Sequence, residues 1–170
     1  VLEGTPPRPR TCVVCGKCVA VCPRRANQTA GTPRKASEVA ARIQRNAPIL
    51  RMNDGGVTFS GGEALLQHEF VGDVCDRLPD VHKAIETGGY ASTEVFLGVV
   101  QRLDLVMMDI KLVDGEMHRR YTGVDNAQIL ENLRALIRSG KPFRARVPVI
   151  PGVDDSRENL EATARLVAEA

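Results

Sequence analysis

Apolar positions along this chain change period in a regular way. From Ser37, which suits a helix N-cap, the stretch EVAARIQRNAPIL carries apolar residues at spacings of three and four and predicts a helix. Beyond it, short runs rich in Val, Ile or Met predict strands from Gly56 to Phe59, Lys83 to Glu86, Leu105 to Ile110 and Phe143 to Ile150. Between these runs ALLQHEFVGDVCDRL, STEVFLGVVQRL and NAQILENLRALIRSG return to helical spacing, with Ser92 or Thr93 and Asn126 as caps and Gly140 closing the third. Strands alternating with helices of this length imply an α/β class with a parallel sheet, either a barrel or an open doubly wound sheet. Part of a barrel, with several units missing, is the favoured reading. The units are unevenly spaced and unlike one another, so no repeat array is expected.

The segment before Ser37 has almost no periodic apolar pattern but holds four of the five cysteines, so it needs a metal or a neighbour to fold. NQTAGTP, from Asn27 to Pro33, is linker chemistry. We therefore expect a small module at residues 1–30 and an α/β core at 31–170. A chain that opens at Val1 and stops at Ala170 within a helical pattern is expected to be a piece of a longer one.

Composition narrows the picture further. With 170 residues, 43% hydrophobic and 26% charged, the chain can bury one core plus an appendage. It has neither an apolar run of bilayer length nor a signal-peptide core, so a cytoplasmic protein with no membrane partner is expected. A net charge of +2 does not argue for nucleic acid, although Arg8, Arg10, Lys17, Arg24, Arg25, Arg34 and Lys35 cluster around the cysteines with only Glu3 opposing them. That cluster suits either a solvated face or the counter-charge of an anionic metal centre.

Cys12, Cys15, Cys18 and Cys22 with Pro23 form C-x2-C-x2-C-x3-C-P, the spacing of bacterial ferredoxin-type [4Fe-4S] ligation. Short loops let three thiolates converge on one cubane, Gly16 relieves the turn, and Pro23 redirects the chain after the fourth sulfur. Structural zinc and disulfides are the alternatives; a cytosolic setting and this spacing disfavour them. In two-cluster ferredoxins the fourth cysteine of such a run serves the other cluster, so Cys22 is a candidate ligand of a second cubane. Cys75 falls on the apolar side of a predicted helix and reads as a small buried hydrophobe. His68, His82 and His118 show no ligand spacing and read as surface or capping residues.

Polar groups collect at the predicted strand ends. Ser60, Gly61, Gly62 and Glu63 follow the first strand: glycines there allow close backbone approach, and free carbonyls with a carboxylate suit a ligand ammonium group. The second strand ends at Glu86 and Thr87, the third at Met107, Asp109 and Lys111, and the fourth passes Arg144, Arg146 and Pro148. Ligands of parallel α/β folds bind at the carboxyl ends of strands, so the coincidence marks a site.

The stretches GVTFSGGEALLQ, AIETGGYA, LDLVMMDIKLVDGEMHRRYTGVDNAQILENL and RVPVIPGVDDSREN resemble the glycyl-radical-enzyme activating enzymes of the pyruvate formate-lyase activating type, members of the radical S-adenosylmethionine (SAM) superfamily. The cysteine run resembles the ferredoxin-like insert of one subgroup. The resemblance implies a partial (β/α) barrel in which a [4Fe-4S] cluster reduces SAM to give a 5′-deoxyadenosyl radical, which takes a hydrogen from a glycine of a partner glycyl-radical enzyme; flavodoxin or ferredoxin would supply the electron. It implies further that Ser60, Gly61, Gly62 and Glu63 hold the methionine amino group. Glu86, Thr87, Met107 and Asp109 would line the SAM carboxylate and a monovalent cation. Lys111 is the catalytic candidate, and Arg146 the cofactor-binding arginine of the following strand. Ala64 stands where the family commonly has Pro, and Glu86 where some members have the shorter Asp. The C-x3-C-x2-C motif that ligates the SAM-binding cluster in the family is not among these residues, and the chain is expected to be competent only within a longer polypeptide. A ferredoxin-like electron carrier, and a radical SAM enzyme acting on a small molecule or RNA, are the competing functions.

Overall fold

A computed structural model describes residues 15–28 and 31–168, in two compact units divided between Arg34 and Lys35. In the first, the described residues form one helical turn, α1 (Lys17–Ala20), entered through Gly16 at φ 73°. No residue of that turn is buried, in keeping with the lack of apolar periodicity.

The second unit is built on four parallel strands, β1 (Gly56–Phe59), β2 (His82–Thr87), β3 (Leu105–Asp109) and β4 (Phe143–Arg146), lying side by side in sequence order. Helices make the crossovers: α3 (His68–Asp76), α4 (Thr93–Val100), then α5 (Gly115–Thr122) and α6 (Ala127–Arg138) together. A doubly wound sheet reverses its order at a switch point, whereas order that simply advances is that of a barrel wall, so the expected partial barrel is the observed class. α2 (Ala36–Met52) precedes β1, and α7 (Arg157–Val167) follows β4.

Register assigns every strand residue to a face. Thr58 pairs with Ala84 and Ala84 with Leu105; Glu86 pairs with Met107, Met107 with Arg144, and Asp109 with Arg146. Ile85, Val106, Met108 and Ala145 occupy the opposite face and join Phe96, Val99, Val100, Leu133 and Leu136 in the main core. A fully buried side chain of this size contributes about 1.5–3 kcal/mol. A second cluster joins Ala36, Ala40 and Ala47 of α2 to Val74, Leu78 and Val81. Lys83 also points to the covered face; its ammonium donates to the carbonyls of Val81 (2.9 Å) and Leu78 (3.1 Å), which makes burial of the charge tolerable.

Several local expectations are corrected. α2 begins one residue before Ser37: Lys35 takes the cap position, and the Glu38 carboxylate accepts its N–H at 3.3 Å. That helix also runs through Pro48 to Met52. β4 stops at Arg146 instead of reaching Ile150, because Pro148 has no N–H for a strand ladder. α5 was not expected; Asp114 caps it by accepting the Met117 N–H at 2.7 Å, and Gly123 closes it at φ 86°. His118 is buried, not at the surface, with Nδ1 2.8 Å from the Val124 carbonyl. Ser92 caps α4 as expected, while Asn126 keeps the cap position of α6 but sends its amide to the carbonyls of Leu112 and Val113, both at 2.8 Å. Cys75 is buried as expected.

Candidate active site

The carboxyl ends of β1 to β4 bring together most of the residues singled out from the sequence. Glu63 caps the 3-10 turn Ala64–Gln67 with Oε1 accepting the Leu65 N–H at 3.0 Å. The same oxygen accepts the Thr87 hydroxyl at 2.7 Å, and Oε2 accepts the Gly88 N–H at 2.9 Å. The end of β1 is thereby tied to the end of β2. Thr87 in turn accepts the Gly89 N–H at 2.9 Å, so one buried hydroxyl orders two loops.

Two glycines precede Glu63. Gly61 holds φ 127°, which L residues rarely adopt, and a Cβ added at Gly61 or Gly62 would meet nothing within 4 Å. The glycine turn therefore borders open space. At Gly88 a Cβ would lie 3.6 Å from Glu63 Oε2 and 3.9 Å from Lys111 Nζ, so the acid and the lysine converge on the same small volume.

Glu86, Asp109 and Arg146 form a second cluster on the uncovered face. Arg146 donates from Nη1 to Glu86 Oε1 at 2.7 Å and from Nε to Asp109 Oδ1 at 2.9 Å, while the Ser60 hydroxyl donates to Glu86 Oε2 at 2.7 Å. These bonds, Ser60 first and then Arg146, hold the Glu86 carboxyl below the usual carboxylate range; the two acids raise Arg146. Met107 lies between Glu86 and Arg144 in register, half-buried.

Three asparagines brace this end of the sheet, a role not expected from the sequence for any of them. Asn132, fully buried on α6, donates to the carbonyls of Gly89 and Ala91 at 2.8 Å and accepts the Thr93 hydroxyl at 2.9 Å. Asn159 of α7 donates to the Lys111 carbonyl at 3.0 Å and accepts the Val113 N–H at 2.9 Å. Asn126 holds Leu112 and Val113 from the other side. The available signal for Asn132 was its place among Ile129, Leu133 and Leu136 on the apolar face of its helix.

In the first unit Cys15 and Cys18 are exposed and Cys22 is half-buried; Cys12 lies outside the described residues. Among the described residues no three His, Cys, Asp or Glu side chains converge on a common metal position. The Ala26 N–H points at Cys22 Sγ at 3.2 Å, and backbone N–H groups from Asn27, Ala26, Arg24 and Arg25 hold its thiol below the ordinary value. Such donors favour a thiolate, the form that binds iron.

Residues 12–167 match the radical SAM superfamily model, and the chain belongs to that superfamily. Within it, the chain is a relative of the glycyl-radical-enzyme activating enzymes. The isethionate sulfite-lyase activating enzyme of Oleidesulfovibrio alaskensis is 40% identical over 164 residues, covering 93% of this chain and 53% of that protein. The 4-hydroxyphenylacetate decarboxylase activating enzyme of Clostridium scatologenes is 41% identical over 155 residues, covering 88% and 49%. A crystal structure of a domain of the pyruvate-formate lyase-activating enzyme from Bacteroides vulgatus superposes with a TM-score of 0.62 at 34% identity, covering 67% of this chain and 72% of that one. The chain spans about half the length of the curated relatives it matches. Among the described residues no helix is long and apolar enough to cross a membrane.

Membership implies SAM and a [4Fe-4S] cluster, and the strand ends suit the amino-acid portion of SAM. An open glycine turn with a fixed carboxylate suits an α-ammonium group, and a half-exposed guanidinium suits an α-carboxylate.

Proposed function

We propose that the full-length protein is an activase that uses SAM to install a glycyl radical on a partner enzyme. The observation that carries this reading is the fixed Glu63 carboxylate beside the open Gly61–Gly62 turn, with Arg146 in the neighbouring cluster on the same strand ends. Together, a reduced [4Fe-4S] cluster and SAM would supply one-electron cleavage of the sulfonium.

The residues of this chain do the holding. Glu63 and the carbonyls of the glycine turn take the methionine ammonium group; Thr87 and Gly88 keep the carboxylate aimed, since a donor on each oxygen leaves little rotational freedom. Arg146 takes the methionine carboxylate. Lys111 reaches the same volume from the segment that follows β3, where its cation can orient a partner's backbone or the cofactor. Cys12, Cys15, Cys18 and Cys22 serve auxiliary iron-sulfur ligation in the N-terminal module, residues 1–30, and a small redox protein such as flavodoxin or ferredoxin supplies electrons. The names of the relatives support a glycyl-radical partner over a small molecule or RNA.

The test is anaerobic incubation of the reconstituted, full-length protein with dithionite, SAM and a co-encoded glycyl-radical enzyme. The reading expects 5′-deoxyadenosine by chromatography and a glycyl doublet by electron paramagnetic resonance on the partner. Deoxyadenosine without that doublet would move the assignment to another substrate, and neither product would sink it.

A further inference from the structure

The family resemblance expects a monovalent cation among Glu86, Thr87, Met107 and Asp109, and the arrangement of these groups points elsewhere. A Na+ or K+ ion needs several oxygens converging on one point that no other cation holds. Here the Arg146 guanidinium already lies against Glu86 Oε1, and the Ser60 hydroxyl donates to Oε2. Asp109 gives one oxygen to Arg146, which approaches it with both Nε and Nη2 at 2.9 Å. Thr87 is turned to the covered face of the sheet, donating to Glu63 and accepting from Gly89. The oxygen set is thus divided between two networks, and the position between the carboxylates of Glu86 and Asp109 belongs to a guanidinium.

Resting on the reading of this site as a SAM site, we propose that Arg146 is its built-in cation, taking the place of a monovalent metal ion between Glu86 and Asp109. A guanidinium has five N–H groups, and two are hydrogen-bonded to the acids, one from Nε and one from Nη1. The others remain to meet an α-carboxylate, and with 39% of the side chain exposed they are reachable. The two acids fix the planar fork from adjoining strands, which reduces the entropy lost when a ligand carboxylate docks. Ser60 completes the arrangement by holding the far oxygen of Glu86, so that the acid cannot turn away to a solvent ion. Arg146 is therefore a ligand-positioning residue as well as a counter-charge.

The experiment is calorimetric titration of SAM into the anaerobically reconstituted, full-length protein in KCl, NaCl and tetramethylammonium chloride at matched ionic strength, ~0.15 M. We expect the wild-type Kd to agree within about twofold in all three salts, and Arg146→Gln to bind at least about tenfold more weakly in tetramethylammonium chloride. We also expect Arg146→Gln to recover part of that loss in NaCl or KCl, because a metal ion can then enter between the two acids. A wild-type affinity that falls about tenfold when Na+ and K+ are withdrawn would overturn the proposal while leaving the SAM site standing. So would an Arg146→Gln variant that binds as tightly as wild type without alkali cations. Absence of SAM binding in every salt would overturn the site reading itself, and the wild-type comparison decides even if the variant does not fold.

Discussion

The hydroxyl of Thr87 donates to Glu63 Oε1 at 2.7 Å, and this one contact couples the glycine turn after β1 to the end of β2. Thr87→Val keeps the shape but removes the donor to Glu63 and the acceptor of the Gly89 N–H. Leaving those groups short of partners in a buried position is expected to cost about 1–3 kcal/mol in urea unfolding. SAM affinity should fall about fivefold as the carboxylate gains freedom. Unchanged values for both would mean that the contact does not order the site.

The two glycines before Glu63 should respond differently to alanine. Gly61→Ala forces φ 127° on an L residue and is expected to lose about 1–2 kcal/mol of stability. Gly62→Ala carries no such strain and should leave stability unchanged or raise it by about 0.5 kcal/mol. Its methyl would nevertheless project into the open space beside the turn, so SAM binding by calorimetry should weaken. A Gly62→Ala protein with wild-type affinity would show that ligands do not approach the turn.

Asn132 is completely buried and its amide serves Gly89, Ala91 and Thr93. Asn132→Leu fills the volume but strands two carbonyls, so chemical denaturation should show a loss of about 2–4 kcal/mol. A loss under about 0.5 kcal/mol, the range of a surface change, would show that the β2–α4 loop holds itself.

Burial pushes the Cys75 thiol up to about 11, from an ordinary value of 9.0. The folded group therefore stays a thiol where the unfolded group ionises, and its contribution to stability is intact below pH 9 and declines between pH 9 and 11. Iodoacetamide at pH 8 should spare Cys75 in the native protein and modify it in urea, as read by peptide mass spectrometry. Cys75→Ala should also flatten the alkaline loss of stability. Rapid native-state labelling of Cys75 would contradict its burial.

What could be read from the chain alone follows from which interactions are local. Short runs rich in Val, Ile or Met located all four strands, because a parallel sheet covered by helices buries continuous apolar stretches, and three-to-four spacing located the helices α2, α3, α4 and α6, because burial on one face imposes that spacing. Gly61, Gly62 and Glu63, the strand-end acids and Arg146 were legible because a parallel sheet must place such residues at one end. The apolar pattern does not mark α5: eight residues with one buried member, His118, leave too little apolar repetition, and only its caps at Asp114 and Gly123 signal it.

Tertiary structure decided the rest. Nothing near Asn132 or Asn159 in sequence says that their amides brace loops about forty residues away, since such pairing depends on where the helices land. Register alone put Glu86, Asp109 and Arg146 on one face, and proximity then made them an ion cluster in place of three solvated charges. The sequence determined which chemical groups stand at the strand ends; the fold decided which of them bond to one another, because hydrogen bonds and charge pairs act over a few ångströms of space however far apart their residues lie along the chain.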